Sequence, residues 1–225
     1  MESLPSYPTL ALTVSARRIR PGDKLTGELL LRGGAEPVVI DQVRARLWAR
    51  VYALFDDDDG APAVRLYDEA IAKQIQLGVR EELAVNVRLP VAWSTPVTLV
   101  NGRGLSGLSV LLMLWCEAAA STGDVILHLQ VEPLPWQHDV LETIQQRGLS
   151  WDTTYAYKGS QHFTHYRTDQ TPEVSLSWRV QRRRVSIGLN GRELRLTHDE
   201  ATQGDWRDPL SSWLDALLSR PRKRR

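Results

Sequence analysis

The sequence predicts a mainly β chain of two β-sandwich lobes with two short helices, on three observations. Apolar residues alternate with other residues in short runs, such as Leu25, Gly27, Leu29 and Leu31, then Val43, Ala45, Leu47, Ala49 and Val51. That is the period of a strand buried on one face. Turn signals punctuate the runs at Pro21-Gly22-Asp23, Gly33-Gly34 and Asn190-Gly191, where glycine or asparagine tolerates the required dihedrals. Helical spacing is confined to two segments, Trp136 to Ile144 and Trp206 to Leu217.

Leu10, Leu12 and Val14 form an opening strand. Pro21-Gly22-Asp23 turns the chain into a strand over Leu25 to Leu31, and Gly33-Gly34 reads as a tight reversal into Val43 to Val51. Arg20 to Val51 therefore reads as a hairpin with one dry face. The pattern degrades between Val51 and Leu83, where Val64-Arg-Leu-Tyr67 and Ala72 to Leu77 suggest strands without clear limits. Leu83, Val85, Val87 and Leu89 alternate strictly, and Pro90 ends that strand because it cannot donate to a ladder. Leu108 to Ala118 and Val125 to Val131 make a second hairpin around Ser121-Thr-Gly-Asp124.

Pro133 and Pro135 stiffen the chain at the expected lobe boundary, giving a first lobe over 1–132 and a smaller sandwich lobe with flanking helices over 133–219. Trp136, Val140, Leu141 and Ile144 define a helix that Gly148 closes. Gln161 to Arg167, Val174 to Val180 and Val185 to Leu189 read as strands, and Asn190-Gly191 is the strongest hairpin signal in the chain. A helix from Asp205, with Trp206, Leu210, Trp213, Leu214 and Leu217 on one face, precedes a basic tail over 220–225.

With 225 residues and 42% hydrophobic content, the chain can bury a core. Eight Trp against two Phe is an unusual balance, and it predicts anchors of the cores and of the lobe boundary. The lone Cys116 lies in the apolar run Leu111-Leu-Met-Leu-Trp-Cys116, which predicts a small buried side chain and a reducing compartment. The start Met1-Glu-Ser-Leu-Pro5 lacks the apolar region of a signal peptide, so a cytoplasmic protein is expected. Net charge is +1, of which Arg220, Arg222, Lys223, Arg224 and Arg225 supply five positive charges, leaving the body near −4. A mildly acidic body argues against a nucleic-acid partner.

The layout of Pro21-Gly22, Gly27 and Gly33-Gly34 followed by an alternating strand resembles the opening of bacterial arrestin-like sporulation-control proteins, the sporulation stage zero protein M family. Leu83 to Pro96, with Leu89-Pro90 before a second proline, is similar to the family's strand ending in Leu-Pro. Val110 to Ala118, Asp124 to Pro133 and Val140 to Gly148 resemble its next hairpin, lobe exit and short helix. The resemblance implies a two-lobed arrestin-like (immunoglobulin-like) β-sandwich. It also implies a non-enzymatic regulatory or scaffold protein in the control of sporulation or bacterial development.

Asp56 to Asp59 before Gly60 suggests a cation loop, but consecutive carboxylates cannot all face one ion and the spaced ligands of a calcium loop are missing. His162 and His165 lie three apart on a predicted strand, on opposite faces, which disfavours a shared metal. The esterase elbow Gly-x-Ser-x-Gly and the phosphate loop are both missing from the sequence. No catalytic residue, metal or cofactor is therefore predicted. Arg182-Arg183-Arg184 reads as a charged connection, and Arg17, Arg18 and Arg20 as a loop patch or part of an inter-lobe charge network.

The binding residues expected are Arg222, Lys223, Arg224 and Arg225, whose tail would favour an anionic membrane surface or acidic partner by about 1 kcal/mol per charge. The expected partners are cytosolic proteins, with peripheral membrane contact through the tail and a homodimer through edge strands. A second reading is a lipid- or apolar-ligand-binding sandwich, its pocket lined by tryptophans and its tail drawn to the membrane.

Overall fold

The computed structural model describes residues 8–51, 63–118, 124–157, 159–167 and 170–219. The first ten strands are β1 (Thr9–Val14), β2 (Arg18–Ile19), β3 (Lys24–Arg32), β4 (Val38–Val51), β5 (Ala63–Leu77), β6 (Glu82–Pro90), β7 (Leu99–Val100), β8 (Arg103–Gly104), β9 (Leu108–Ala118) and β10 (Asp124–Val131). Helix α1 (Pro135–Gln146) follows, then β11 (Ser150–Tyr157), β12 (Ser160–Arg167), β13 (Gln170–Val180), β14 (Val185–Leu189) and β15 (Arg192–Leu196). Helices α2 (His198–Gln203) and α3 (Arg207–Leu218) end the described chain.

A three-stranded sheet ordered β1-β3-β6 packs on a five-stranded sheet ordered β2-β10-β9-β4-β5. The alternation read from sequence supplies the core between them. Leu25, Leu29, Leu31, Val87 and Leu89 of one sheet join Val43, Ala45, Leu47, Val110, Leu112 and Leu114 of the other in one cluster, all buried. Each fully buried leucine contributes about 1.5–3 kcal/mol relative to exposure.

The expected hairpin over Arg20 to Val51 is corrected. β3 pairs with β1 and β6, whereas β4 pairs with β5 and β9, so the chain crosses from one sheet to the other at residues 33–37. Alternation shows that each strand has one dry face, and that holds equally for neighbours in a sheet and for strands facing each other across a core. Gly33 is required because a side chain there would collide with the Gly78 carbonyl; its N–H donates to Glu81 O at 2.8 Å. Where the apolar pattern degrades, Ala63–Leu77 form the long strand β5, irregular in register against β4. Pro21-Gly22 forms the predicted turn, with Gly22 at φ 87° and Asp23 N–H donating to Arg20 O at 3.1 Å.

The C-terminal lobe, expected as a smaller sandwich, is one five-stranded meander, β11-β12-β13-β14-β15. Its dry face carries Phe163, Leu176, Trp178, Val185, Ile187 and Leu189. Helices supply the covering layer that a second sheet would have given: Trp136, Val140, Leu141 and Ile144 from α1, then Leu210 and Leu214 from α3. The two expected helices become three, because Thr197 and Glu200 close a capping box on the short α2 and Gly204 ends it at φ 90°. Asn190 at φ 46° and Gly191 at φ 83° make the predicted tight turn between β14 and β15.

Candidate functional site

The segment 91–107, which follows β6, wedges between the two cores. Val91 is buried in the first, while Val97, Val100 and Leu105 are buried in the second. Polar side chains fix it on both sides. Thr98 accepts the Val131 N–H through Oγ1 at 2.9 Å, and its own N–H donates to Val131 O at 2.9 Å. On the other side the Gln161 side chain, buried on β12, reads the peptide groups of Val97: Nε2 donates to Val97 O at 2.7 Å and Oε1 accepts Val97 N–H at 2.8 Å. The same amide accepts the Trp178 indole N–H at 3.3 Å and donates to Thr154 Oγ1 at 3.2 Å. All four hydrogen-bonding positions of this buried amide are thus filled.

Trp93 completes the bridge. Its indole covers Gly22 of the first lobe and packs at a tilt of 53° against the His198 ring of α2, with ring centroids 4.5 Å apart. Beside the wedge, a cleft of about 410 Å³ is lined by Arg20, Asn101, Glu132, Pro135, His138 and Asp139. Arg20 lies 3.5 Å and Arg18 4.0 Å from the Glu132 carboxylate. The basic cluster read from sequence therefore sits on the residue at which the chain leaves the first lobe. Across the cleft, Asp139 pairs with Arg207 at 3.3 Å and the His138 ring bonds Asn101 Oδ1 at 2.7 Å.

His138, Asp139 and Glu142 are the side chains there that could hold a metal, their ligand atoms lying within 4.8 Å of one another. Asp139 already meets Arg207 and Glu142 is exposed to solvent, an arrangement common without an ion.

The expected binding residues Arg222 to Arg225 and the acidic run Asp56 to Asp59 lie outside the described residues. His162 and His165 occupy opposite parities of β12; the His162 ring stacks on Tyr155 at 4.8 Å. Arg182, Arg183 and Arg184 are exposed in the connection between β13 and β14, closed by Gln181 N–H donating to Arg184 O at 2.9 Å. Cys116 is buried as expected, and burial pushes its thiol up to about 11, which leaves it protonated at neutral pH. Trp136, Trp178 and Trp206 fill the second core, with Trp93, Trp151 and Trp213 packed against it. Trp48 and Trp115 instead lie under arginines on the outer face of the five-stranded sheet, where Arg46 sits 4.9 Å from the Trp115 ring. Sequence reasoning missed Gln161; its signal was a polar side chain sharing the inward parity of Phe163.

The edges of the sheets differ in chemistry. β5, β6, β11 and β15 all carry charged residues, and β2 includes Arg18. β1, Thr9-Leu-Ala-Leu-Thr-Val14, carries none and, among the described residues, pairs on one side only, with β3. Ser15 N–H donates inward to Thr26 O, so antiparallel alternation aims the backbone groups of Leu10, Leu12 and Val14 outward.

Fold and junction together define a two-lobed, mainly β protein of arrestin-like architecture. The chain belongs to the SpoOM protein family, whose model matches residues 8–184. Among solved structures it is similar to the crystal structure of Spo0M, sporulation control protein, from Bacillus subtilis, with a TM-score of 0.77 at 15% identity. That match covers 94% of this chain and 98% of the other, and at such identity it speaks for the fold. A Pseudomonas fluorescens alkylpurine DNA glycosylase, AlkC, bound to DNA containing an abasic site analog, matches at a TM-score of 0.29 and 12% identity. It covers 56% of this chain and 31% of the glycosylase, which is too loose a likeness to support any argument. No protein of curated description matches the chain. Among the described residues, no helix is long and apolar enough to cross a membrane.

Proposed function

We propose that this chain is a non-enzymatic regulatory scaffold of the cytoplasm, acting in sporulation control or a related developmental process by docking a protein partner. The observation that carries this reading is the edge of β1: uncharged, unpaired on one side among the described residues and presenting outward backbone donors and acceptors. Native proteins guard such edges with charge, proline or a covering element, and strand addition is what an unguarded edge accepts. The partner strand would extend the β1-β3-β6 sheet, while the lobe junction sets how the second lobe is presented to the same partner.

Ala11 and Thr13 are exposed, and their backbone groups face β3. Lysines there leave the ladder and the core intact but place charge on the edge. The test is affinity capture from a bacterial lysate on the immobilised full chain, alongside the Ala11→Lys/Thr13→Lys variant. Loss of specific partners from the variant, with an unchanged circular dichroism spectrum, is expected. Equal capture by both proteins would remove the edge from the reading. Light scattering on the same pair asks whether the strand taken up is that of a second copy.

A further inference from the structure

Among the described residues, no layer packs on the face of the second sheet that points away from the helices, and its register arranges it in rows. Ser160 of β12, Arg179 of β13, Ser186 of β14 and Arg195 of β15 stand directly opposite one another, forming one row across four strands. The next row runs Tyr155, His162, Ser177, Gly188 and Glu193. Large aliphatic side chains are missing from both rows. Arg179 and Arg195 stand two strands apart, about 10 Å at ordinary strand spacing, with the small Ser186 between them. Gly188 leaves the floor low, since a side chain there would come within 2.5 Å of Ser177 Oγ. The result is a cleft of about 510 Å³.

Its charge is one-sided. Arg179, Arg192 and Arg195 line it against the carboxylate of Glu193, an excess of two positive charges. Arg195 meets Glu193 at 2.9 Å, and Arg179 Nε donates to Ser160 Oγ at 2.9 Å, which orients its fork over the sheet. Burial, and then the Arg179 charge, hold His162 below its ordinary range, so its ring is neutral at neutral pH and the excess stays with the arginines.

We propose that this cleft binds a phosphate monoester, with Arg179 as its main ligand and the Ser177 and Gly188 floor admitting the phosphate oxygens. Two unbalanced cations match the charge of close to −2 that a monoester carries at neutral pH. A guanidinium fork suits its planar pairs of oxygens. This site is separate from the β1 edge and stands or falls independently of strand docking. The phosphate has two candidate sources, a small soluble metabolite or a phosphorylated side chain.

Titration calorimetry on the full chain at fixed ionic strength tests this, with inorganic phosphate, a sugar phosphate and a phosphoserine peptide as probes. Saturable binding is expected, weakened about tenfold by Arg179→Gln, the usual size of one lost charge-assisted contact, and also weakened by Gly188→Val, which fills the floor. The tighter of the two organic probes assigns the source. Equal affinity in the wild type and Arg179→Gln, no heat beyond that of chloride, or binding confined to phosphatidylglycerol vesicles would overturn the proposal. Arg179 is exposed, so its variant is decisive even where Gly188→Val fails to fold.

Discussion

Removing the Gln161 amide orphans the Val97 N–H and C=O together with the Trp178 indole, all in the dry interior between wedge and sheet. A buried polar group without a partner costs about 1–3 kcal/mol. Gln161→Ala should therefore lower the melting temperature clearly, by about 2–4 °C for each kcal/mol in a chain of this size. Gln161→Glu should do no better, because a carboxylate cannot donate to the Val97 carbonyl. A thermal melt of both variants checks this, and an unchanged midpoint in Gln161→Ala would show that the amide is dispensable.

At the scale of elements, the turn before β3 does more than reverse the chain. Gly22 occupies the left-handed region at φ 87°, and an added Cβ would fall 2.6 Å from the Trp93 ring. Gly22→Ala is expected to destabilise by more than about 1 kcal/mol from backbone strain alone. It should also change the near-ultraviolet dichroism of Trp93; a variant with wild-type stability and spectrum would contradict that packing.

This turn and the Asn190-Gly191 turn were legible in the sequence because their signal resides in the dihedrals of one or two residues. The dry faces of β3, β4, β9 and β13 were legible from alternation. Gly33-Gly34 misled because alternation says which face is buried and not which strand lies alongside. β11, Ser-Trp-Asp-Thr-Thr-Tyr-Ala-Tyr, went unread because its buried inward position is the polar Thr154, and a register shift between Trp151 and Thr153 brings Trp151 to the same core out of step, so no apolar period emerges. The Gln161 contact was out of reach for another reason: its partner Val97 is 64 positions away.

For the whole molecule, the wedge makes two hydrophobic clusters depend on one segment. Val91 belongs to the first and Val97 to the second, so losing either cluster frees the segment that completes the other. Calorimetry of the wild type should show one cooperative transition, its calorimetric and van't Hoff enthalpies in agreement. Gln161→Ala should split it, with the second lobe melting first. Two resolved transitions in the wild type would mean that the wedge does not couple the lobes.

The N-terminal strand also belongs to two places at once. β1 edges the three-stranded sheet, yet β2, only Ser15, Ala16 and Arg17 further on, pairs parallel with the end of β10 in the opposite sheet. There Arg18 and Arg20 reach Glu132, where the chain passes toward the second lobe. The edge proposed for docking is thus tethered by a very short leash to the salt links at the junction. A ligand strand that shifts β1 pulls on that leash, converting an event at the rim of one sheet into torque on the neighbouring lobe.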